Sequence, residues 1–127
     1  MANILLVDDD DLLVNGQSDF LRRAGHTVCT AGNGNEAMDL VAANNFDLVI
    51  TDIHMPGKEG LETIAALRRT APKIKIIATS GGTVSIGARD NLSMAQIFGA
   101  SFTLAKPVSG DALIAAIAKA LSLGPRH

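Results

Sequence analysis

The residues around Asp52 constrain the fold more than any other part of the chain. Residues 48–50 are three consecutive apolar β-forming residues, and the strand pattern ends at Asp52. An uninterrupted apolar run indicates a strand buried on both faces, as is usual in parallel sheets. Pro56, Gly57 and Gly60 then break the pattern before a helical segment. Ligands bind at the carboxyl edge of such sheets, so Asp52 is the first candidate functional residue.

Similar short apolar runs occur four more times, at residues 4–7, 27–31, 74–78 and 102–105. A segment with helical spacing follows each strand, including residues 90–98 after the fourth and a helix that opens at Gly110 after the fifth. Five strands alternating with five helices predict an α/β fold with a parallel sheet and helices on both faces. At this size we expect the flavodoxin-like strand order 2-1-3-4-5.

The helix boundaries and faces can also be predicted. Asp10 or Asp11 suits the N-cap of the first helix, and Gly25 suits its end. Apolar spacing predicts the inward-facing positions of the first and last helices. They are Leu13, Gln17, Phe20, Leu21 and Ala24 in the first, and Leu113, Ile114, Ile117, Ala118 and Leu121 in the last.

Composition excludes several classes of protein. The 127 residues fit one domain, which we place at residues 1–123 with a short tail at 124–127. A formal charge of -2 gives no basic field for nucleic acid, and no apolar run is long enough for a membrane span or a signal peptide. Cys29 cannot form an internal disulfide, and its apolar neighbours predict a buried thiol. We therefore expect a cytoplasmic protein.

Polar residues follow most of the predicted strands. In the order 2-1-3-4-5, strands 1 and 3 are neighbours, so Asp8 and Asp9 should meet Asp52, while Ser80 and Lys106 reach the same edge. Three close carboxylates repel one another, and a hard divalent cation such as Mg²⁺ relieves that repulsion. A carboxylate can also attack phosphorus to form an aspartyl phosphate. The set predicts phosphoryl transfer.

Four short segments carry a resemblance to a known family. They are Ile-Leu-Leu-Val-Asp-Asp-Asp at 4–10, Asp-Leu-Val-Ile-Thr-Asp-Ile-His-Met-Pro-Gly at 47–57, Ile-Ile-Ala-Thr-Ser-Gly at 76–81 and Leu-Ala-Lys-Pro at 104–107. In this order and at this spacing they resemble the receiver domain of two-component response regulators. The resemblance extends from Ile4 to about Leu123.

The resemblance implies a role for each polar residue at the sheet edge. Asp52 would be the phosphoacceptor, and Mg²⁺ would bind Asp9, Asp52 and the backbone carbonyl of His54, with Asp8 acting largely through water. Ser80 would be the switch hydroxyl and Lys106 the partner of the phosphoryl group, with a cis peptide bond before Pro107. The phosphoryl donor would be a sensor histidine kinase or a histidine phosphotransfer protein. The downstream target, an unidentified protein, would bind the switched surface.

The chain departs from the receiver pattern at two positions. Receivers commonly carry Tyr or Phe three residues before the lysine, and this chain has Thr103 there, while Phe102 should point to the opposite face of the strand. We therefore expect residues 81–90 to change most on phosphorylation. Gly82, two residues past Ser80, cannot orient an attacking water, so we expect slow loss of the phosphoryl group. Such a protein is a switch rather than an enzyme with a turned-over substrate.

Alternatives remain open at this stage. A phosphohydrolase of the haloacid dehalogenase type would use Asp8 and Asp10, although Leu12 does not suit its motif. A flavodoxin-like cofactor binder would need a phosphate loop, and the aspartates after strand 1 would repel a phosphate. Met1 and the short tail favour a stand-alone receiver without a DNA-binding output domain, and the alternative is a fragment of a larger regulator or hybrid kinase.

Overall fold

The computed structural model describes residues 2–53, 59–80 and 99–123, which form one five-stranded parallel sheet with helices on both faces. The strand order is β2-β1-β3-β4-β5, so the predicted fold and order are confirmed. The predicted helix over residues 90–98 and the tail at 124–127 lie outside the described residues. The elements are β1 (Asn3–Val7), α1 (Asp11–Arg23), β2 (Thr27–Ala31), α2 (Gly34–Ala43), β3 (Leu48–Asp52), α3 (Glu59–Thr70), β4 (Lys75–Ser80), β5 (Phe102–Ala105) and α4 (Gly110–Ser122).

The strand that ends at Asp52 lies inside the sheet. β3 pairs with β1 on one side and β4 on the other, and all five of its residues are buried. The prediction of a strand covered on both faces is therefore confirmed. β2 lies at the edge of the sheet and pairs only with β1, on one side. Cys29 in this strand is therefore half-buried rather than buried as predicted.

Alternate residues of the strands supply two separate cores. Leu5 and Val7 of β1 pack with Ala37 of α2 and Leu67 of α3 on one face of the sheet. Residues of the opposite parity in β1 pack with α1 and α4 on the other face. Among the described residues, two helices therefore cover each face and leave the ends of the strands as the place for a site. Within the described parts of the chain, none of the helices combines the length and apolarity that crossing a membrane requires.

Local capping explains where the helices begin and end. Asp10 is the N-cap of α1, and its Oδ1 accepts a hydrogen bond from the Leu13 backbone N–H at 3.2 Å. Gly25 follows the end of α1 with φ of 100°, a left-handed conformation that favours glycine. Asn33 caps α2 in the same way, with its side chain accepting from the Glu36 N–H at 2.9 Å. The predicted Asp10 cap and Gly25 stop are confirmed.

The predicted inward faces of two helices were partly wrong. The buried residues of α1 are Val14, Ser18 and Leu21, while Phe20 is 40% exposed. In α4 the buried residues are Leu113, Ala116, Ile117 and Ala120, and the predicted Ala118 and Leu121 are exposed. Nine of the thirteen residues of α4 are apolar, so their spacing alone did not show which side of the helix faces the sheet.

β4 ends two residues later than its apolar run. The ladder continues through Thr79, which pairs with Asp52, to Ser80, which pairs with Ala105 of β5. Both polar residues are buried. Ser80 is therefore the last residue of the strand rather than part of the segment that follows it. The backbone of Ser80 is consequently held by a neighbouring strand.

The single described histidine should make stability depend on pH. His26 Nδ1 accepts a hydrogen bond from the Ala2 N–H at 3.1 Å, and burial lowers the pKa of His26 below its ordinary value of 6.5. A lowered pKa favours the neutral ring in the folded state, so this contribution is full above pH 6.5 and is lost as the pH falls through the folded-state pKa. We expect the melting temperature of the wild type to fall more between pH 7.5 and 6.0 than that of His26→Gln. Equal decreases in calorimetric scans would contradict this.

Candidate functional site

Three carboxylates meet at the carboxyl edge of the sheet. Asp8 and Asp9 directly follow β1, and Asp52 is the last residue of the adjacent β3. One carboxylate oxygen from each lies within 4.8 Å of the others. Asp8 is 7% exposed and Asp52 is 4% exposed, whereas Asp9 is exposed. The strand order therefore brings together the three acids that the sequence analysis grouped, with one acid open to solvent.

Lys106 brings a positive charge to the same edge. It directly follows β5, and its backbone N–H donates to the Ser80 carbonyl at 2.8 Å, which fixes the start of the side chain. Its Nζ lies 2.7 Å from Asp8 Oδ2 and 3.5 Å from Asp52 Oδ2. The Lys106-Pro107 peptide bond is cis, as the resemblance implied. One ammonium group therefore lies between two of the three carboxylates.

The surroundings of Lys106 keep its side chain charged. Partial burial lowers its pKa, but the hydrogen bond from Nζ to Asp8 and the negative charges of Asp52 and Asp8 raise it by more. The pKa therefore lies above the ordinary value of 10.5. Lys106 is a permanent cation at neutral pH and supplies a fixed positive charge to the site.

Asp8 is held at both of its carboxylate oxygens. Oδ2 accepts from Lys106, and Oδ1 accepts a hydrogen bond from the backbone N–H of Asp10 at 3.0 Å. Asp10 is also the N-cap of α1. The orientation of Asp8 is consequently linked to the first turn of α1 as well as to the end of β5. Asp10 was predicted as a helix cap, and its hydrogen bond to Asp8 was not predicted.

Ser80 carries a buried hydroxyl group without a partner. Its relative exposure is 0%, and Oγ makes no hydrogen bond to any other atom in the described residues. Buried hydroxyl groups are normally hydrogen-bonded, because an unsatisfied one loses its contacts with water without replacement. An orphaned hydroxyl at the end of β4, beside the end of β3, is therefore a candidate ligand for an incoming polar group.

Two supporting residues at the end of β3 were not predicted. Thr51 is fully buried, and its Oγ1 donates to the Asp52 backbone carbonyl at 3.1 Å. Gly60 in the first turn of α3 lies against the chain after β3, where an added Cβ would come within 2.2 Å of the Ile53 Cα. Only glycine permits this approach. Gly60 was predicted to lie in the loop before the helix, and the structure places it inside α3 instead. His54, whose carbonyl the resemblance assigned to the metal, lies outside the described residues.

Comparison with known proteins gives the family. The family model described as "Response regulator receiver domain" matches residues 4–118. The chain belongs to the response regulator receiver domain family. The predicted assignment to two-component signalling is thereby confirmed at the level of the family. Among curated relatives, this receiver domain is 32% identical to the transcriptional regulatory protein AfsQ1 of Streptomyces coelicolor, over 100% of this chain and 54% of that protein.

Other relatives and solved structures support the same family assignment. The DNA-binding transcriptional regulator NtrC of Azospirillum brasilense is 34% identical over 95% of this receiver domain and 24% of its own length. A receiver domain protein from Methanospirillum hungatei superposes with a TM-score of 0.86 at 27% identity, covering 95% of this chain and 94% of that one. The response regulator TrrA of Thermotoga maritima, solved in complex with Mg²⁺-BeF, has a TM-score of 0.81 at 32% identity, with coverage of 95% and 100%.

The coverage limits what these similarities transfer. The receiver domain spans about half of AfsQ1 and about a quarter of NtrC. Names that describe DNA binding or transcription therefore apply to those longer proteins. The family match itself covers the strands that end at the three carboxylates and at Lys106. It supports a signalling domain with an acidic pocket.

Proposed function

We propose that this receiver domain is a phosphoacceptor switch. It accepts a phosphoryl group on Asp52, with Mg²⁺ bound at the acidic cluster, from a sensor histidine kinase or a histidine phosphotransfer protein in the cytoplasm. The phosphorylated domain then presents an altered surface to a downstream protein. The observation that carries this proposal is the buried Asp52 carboxylate, which lies within 4.8 Å of two further carboxylates and 3.5 Å from the Lys106 ammonium.

The donor set fits Mg²⁺ well. Its donors among the described residues are carboxylate oxygens, the hard ligands that Mg²⁺ prefers, and the exposed position of Asp9 leaves room for water and phosphate oxygens. Asp9 and Asp52 would hold the cation directly, Asp8 would act largely through water, and the carbonyl of His54 would complete the set. When bound, the cation would neutralise charge on the transferring phosphoryl group.

Side chains of the protein would supply the nucleophile and the other charged and polar groups for phosphoryl transfer. A carboxylate oxygen of Asp52 forms the new bond to phosphorus while the bond from phosphorus to the donor's imidazole nitrogen breaks, and the donor keeps that electron pair. Lys106 places its ammonium group beside the phosphoryl oxygens, and the Ser80 hydroxyl donates to one of them. These positioned donors lower the barrier because charge spreads over the equatorial oxygens.

The mass of the intact protein tests this proposal directly. We expect incubation with acetyl phosphate and Mg²⁺ to add one phosphoryl group to the wild type, and to add none to Asp52→Ala or in the presence of EDTA. Asp47→Ala, which removes an exposed acid outside the cluster, is the control and should still be phosphorylated. Unchanged labelling of Asp52→Ala would refute the proposal. Turnover of a phosphate ester that survives in this variant would instead support the hydrolase alternative.

The lifetime of the phosphorylated state stays a prediction. Gly82 and residues 81–90 lie outside the described residues, so the slow loss of phosphate and the expected change in this segment rest on the sequence. Thr103 is half-buried on β5, while Phe102 packs into the core of α1 and α4 on the opposite face, as predicted. The output route therefore does not use an aromatic side chain at position 103.

An apolar groove whose lining begins in the first turn of α1, shortly after the acids that follow β1, suits the phosphodonor protein. It has a volume of about 330 Å³ and lies between the start of α1 and the segment after Pro107. Its lining includes Leu12, Gly16, Phe20, Val108 and Leu113. Leu12 is 85% exposed and Phe20 is 40% exposed, and exposed apolar side chains that share one groove are typical of an interaction site. A donor that delivers phosphate to Asp52 must approach this edge, and the groove offers it apolar contact area.

Gly16 on the groove supports this interpretation. It lies inside α1, where glycine is less favourable than alanine by about 1 kcal/mol, yet a Cβ at this position would meet no atom within 4 Å. Among the described residues, therefore, nothing in the fold requires glycine there. A bare backbone would, however, admit a side chain of the docked donor.

Substitution of Gly16 should stabilise the fold and slow phosphoryl transfer from the donor protein. We expect Gly16→Ala to raise the free energy of unfolding by about 1 kcal/mol and to slow transfer from a phosphorylated histidine kinase, with labelling by acetyl phosphate unchanged. Urea titration and transfer assays measure the two effects. Asn15→Ala, at an exposed position on the same helix that does not line the groove, is the matched control. Kinase transfer to Gly16→Ala at the wild-type rate would rule out this docking surface.

A further inference from the structure

A groove runs along the outer surface of the domain between α2 and α3. Its first part is a cavity of about 420 Å³ between residues 34–38 of α2 and residues 62–69 of α3. Its second part is a cavity of about 340 Å³ between residues 41–46 and residues 71–74. Positions three or four apart share one side of a helix, so Asn35, Met38 and Val41 form a continuous line along α2. The two cavities are therefore parts of one channel roughly three helical turns long, the α2–α3 groove.

The shape of the α2–α3 groove suits a helix from another protein. Ala65 and Ala66 line its first part and are half-buried, so small side chains keep the two helices apart at the surface. Val41, Phe46 and Ile74 supply larger apolar surface in its second part. An apolar channel between two helices accepts the apolar face of a third helix. A concave groove cannot pack against the same groove of a second copy, so the shape favours a different protein as the occupant.

The basic side of the groove is held in place by the fold. Lys73 lies between Pro72 and Ile74, whose carbonyls both accept from Nη1 of Arg68, at 2.8 and 2.9 Å. Arg69 belongs to the last turn of α3. The side chains of Arg69 and Lys73 are exposed, and each lines one of the two cavities. A surface that is ordered before binding loses little conformational entropy when a partner docks.

The charges of the groove favour an acidic partner. Arg69 and Lys73 outnumber Glu62, the one acid among the described lining residues, and the sequence has no other acid before Asp90. We propose that the α2–α3 groove binds an amphipathic helix of a partner protein, with apolar side chains entering the groove and Asp or Glu beside Arg69 and Lys73. The groove exists without a phosphoryl group, and none of the acidic cluster lines it, so this binding does not require phosphorylation.

Fluorescence anisotropy with two labelled model peptides tests the proposal on the unphosphorylated protein. Both peptides are amphipathic helices of about 18 residues, long enough to span the groove. They share one line of Leu side chains, and the flanks of this line carry Glu in one peptide and Lys in the other. We expect the Glu peptide to bind about tenfold more tightly at low salt, and the difference to vanish at about 1 M NaCl because salt screens exposed charges. Equal affinities at low salt, or no binding of either peptide, would overturn the proposal.

Substitutions in the groove test where the Glu peptide binds. Ala66→Leu fills the space between the helices and should weaken binding at least about tenfold, since the lost contact area lies at the centre of the interface. Ala42→Leu, at an exposed position of α2 outside the groove, is the matched control and should bind like the wild type. Lys73→Glu changes only an exposed side chain and should weaken binding about fivefold. Wild-type affinity in Ala66→Leu or Lys73→Glu would refute the proposed surface. A dimer in sedimentation velocity that Ala66→Leu abolishes would instead assign the groove to a second copy.

Discussion

Replacing Ser80 with alanine is expected to slow phosphoryl transfer to Asp52 about a hundredfold, the usual effect of removing one positioned donor to a charged transition state. The hydroxyl group has no partner among the described residues and is fully buried. It is therefore preorganised to donate to a phosphoryl oxygen and loses no existing hydrogen bond when it does so. Initial rates of labelling by acetyl phosphate, measured by intact mass, would show the decrease.

The same substitution should not harm the unphosphorylated fold. Removal of a buried hydroxyl group that makes no hydrogen bond also removes its desolvation penalty, so the free energy of unfolding should stay constant or rise by up to about 1 kcal/mol. Ser18 provides the matched control, because its Oγ is likewise buried and without a partner, but it lies in the middle of α1. Ser18→Ala should have a similar effect on stability and none on labelling. A large loss of stability in Ser80→Ala alone would show that this hydroxyl group has a structural role.

The strand order was predicted only as the common one for a chain of this size, whereas the convergence of the carboxylates could be predicted from the sequence for a physical reason. In a parallel sheet every strand ends at the same edge, so residues that follow apolar runs are placed together by topology alone. Asp8, Asp52 and Lys106 all occupy such positions. Their separation in sequence, up to 98 residues between Asp8 and Lys106, did not matter.

Other features depend on packing and could not be read from the pattern. The inward face of α4 was ambiguous because apolar residues surround most of that helix, and only contact with the sheet selects Ala116 and Ala120. The sequence also gave no sign that Lys106 binds Asp8 more closely than Asp52, because both acids follow adjacent strands. That preference depends on differences of less than 1 Å, which residue type and spacing do not determine.

The largest effect on stability is expected at Arg68, which lies on α3 at the edge of the sheet opposite to Asp52. Its guanidinium donates to three backbone carbonyl groups: Gly99 at 3.2 and 2.8 Å, Pro72 at 2.8 Å and Ile74 at 2.9 Å. Pro72 and Ile74 connect α3 to β4, and Gly99 precedes β5. One half-buried side chain therefore joins α3 and the connection that follows it to the start of β5, 31 residues further along the chain.

Arg68→Ala would leave the partly buried carbonyls of Gly99 and Ile74 without this donor, and we expect the free energy of unfolding to fall by about 3 kcal/mol. Arg68→Lys should recover little, because a single ammonium group cannot reproduce the planar fork of a guanidinium. Arg69→Ala is the matched control, since the neighbouring side chain is exposed, and it should change stability by no more than about 0.5 kcal/mol. Urea denaturation followed by far-ultraviolet circular dichroism measures all three, and equal stability of the two alanine variants would refute the prediction.

Loss of Arg68 should affect the fold much more than the chemistry. β5 begins beside the Arg68 contact, but its other end is held independently by the hydrogen bond from the Lys106 N–H to the Ser80 carbonyl at 2.8 Å. The molecules of Arg68→Ala that remain folded should therefore keep Lys106 beside Asp8 and Asp52. Labelling by acetyl phosphate at a temperature well below the transition should proceed at nearly the wild-type rate. A strong decrease there would mean that the two ends of β5 are coupled, and that the amino edge of the sheet helps to position Lys106.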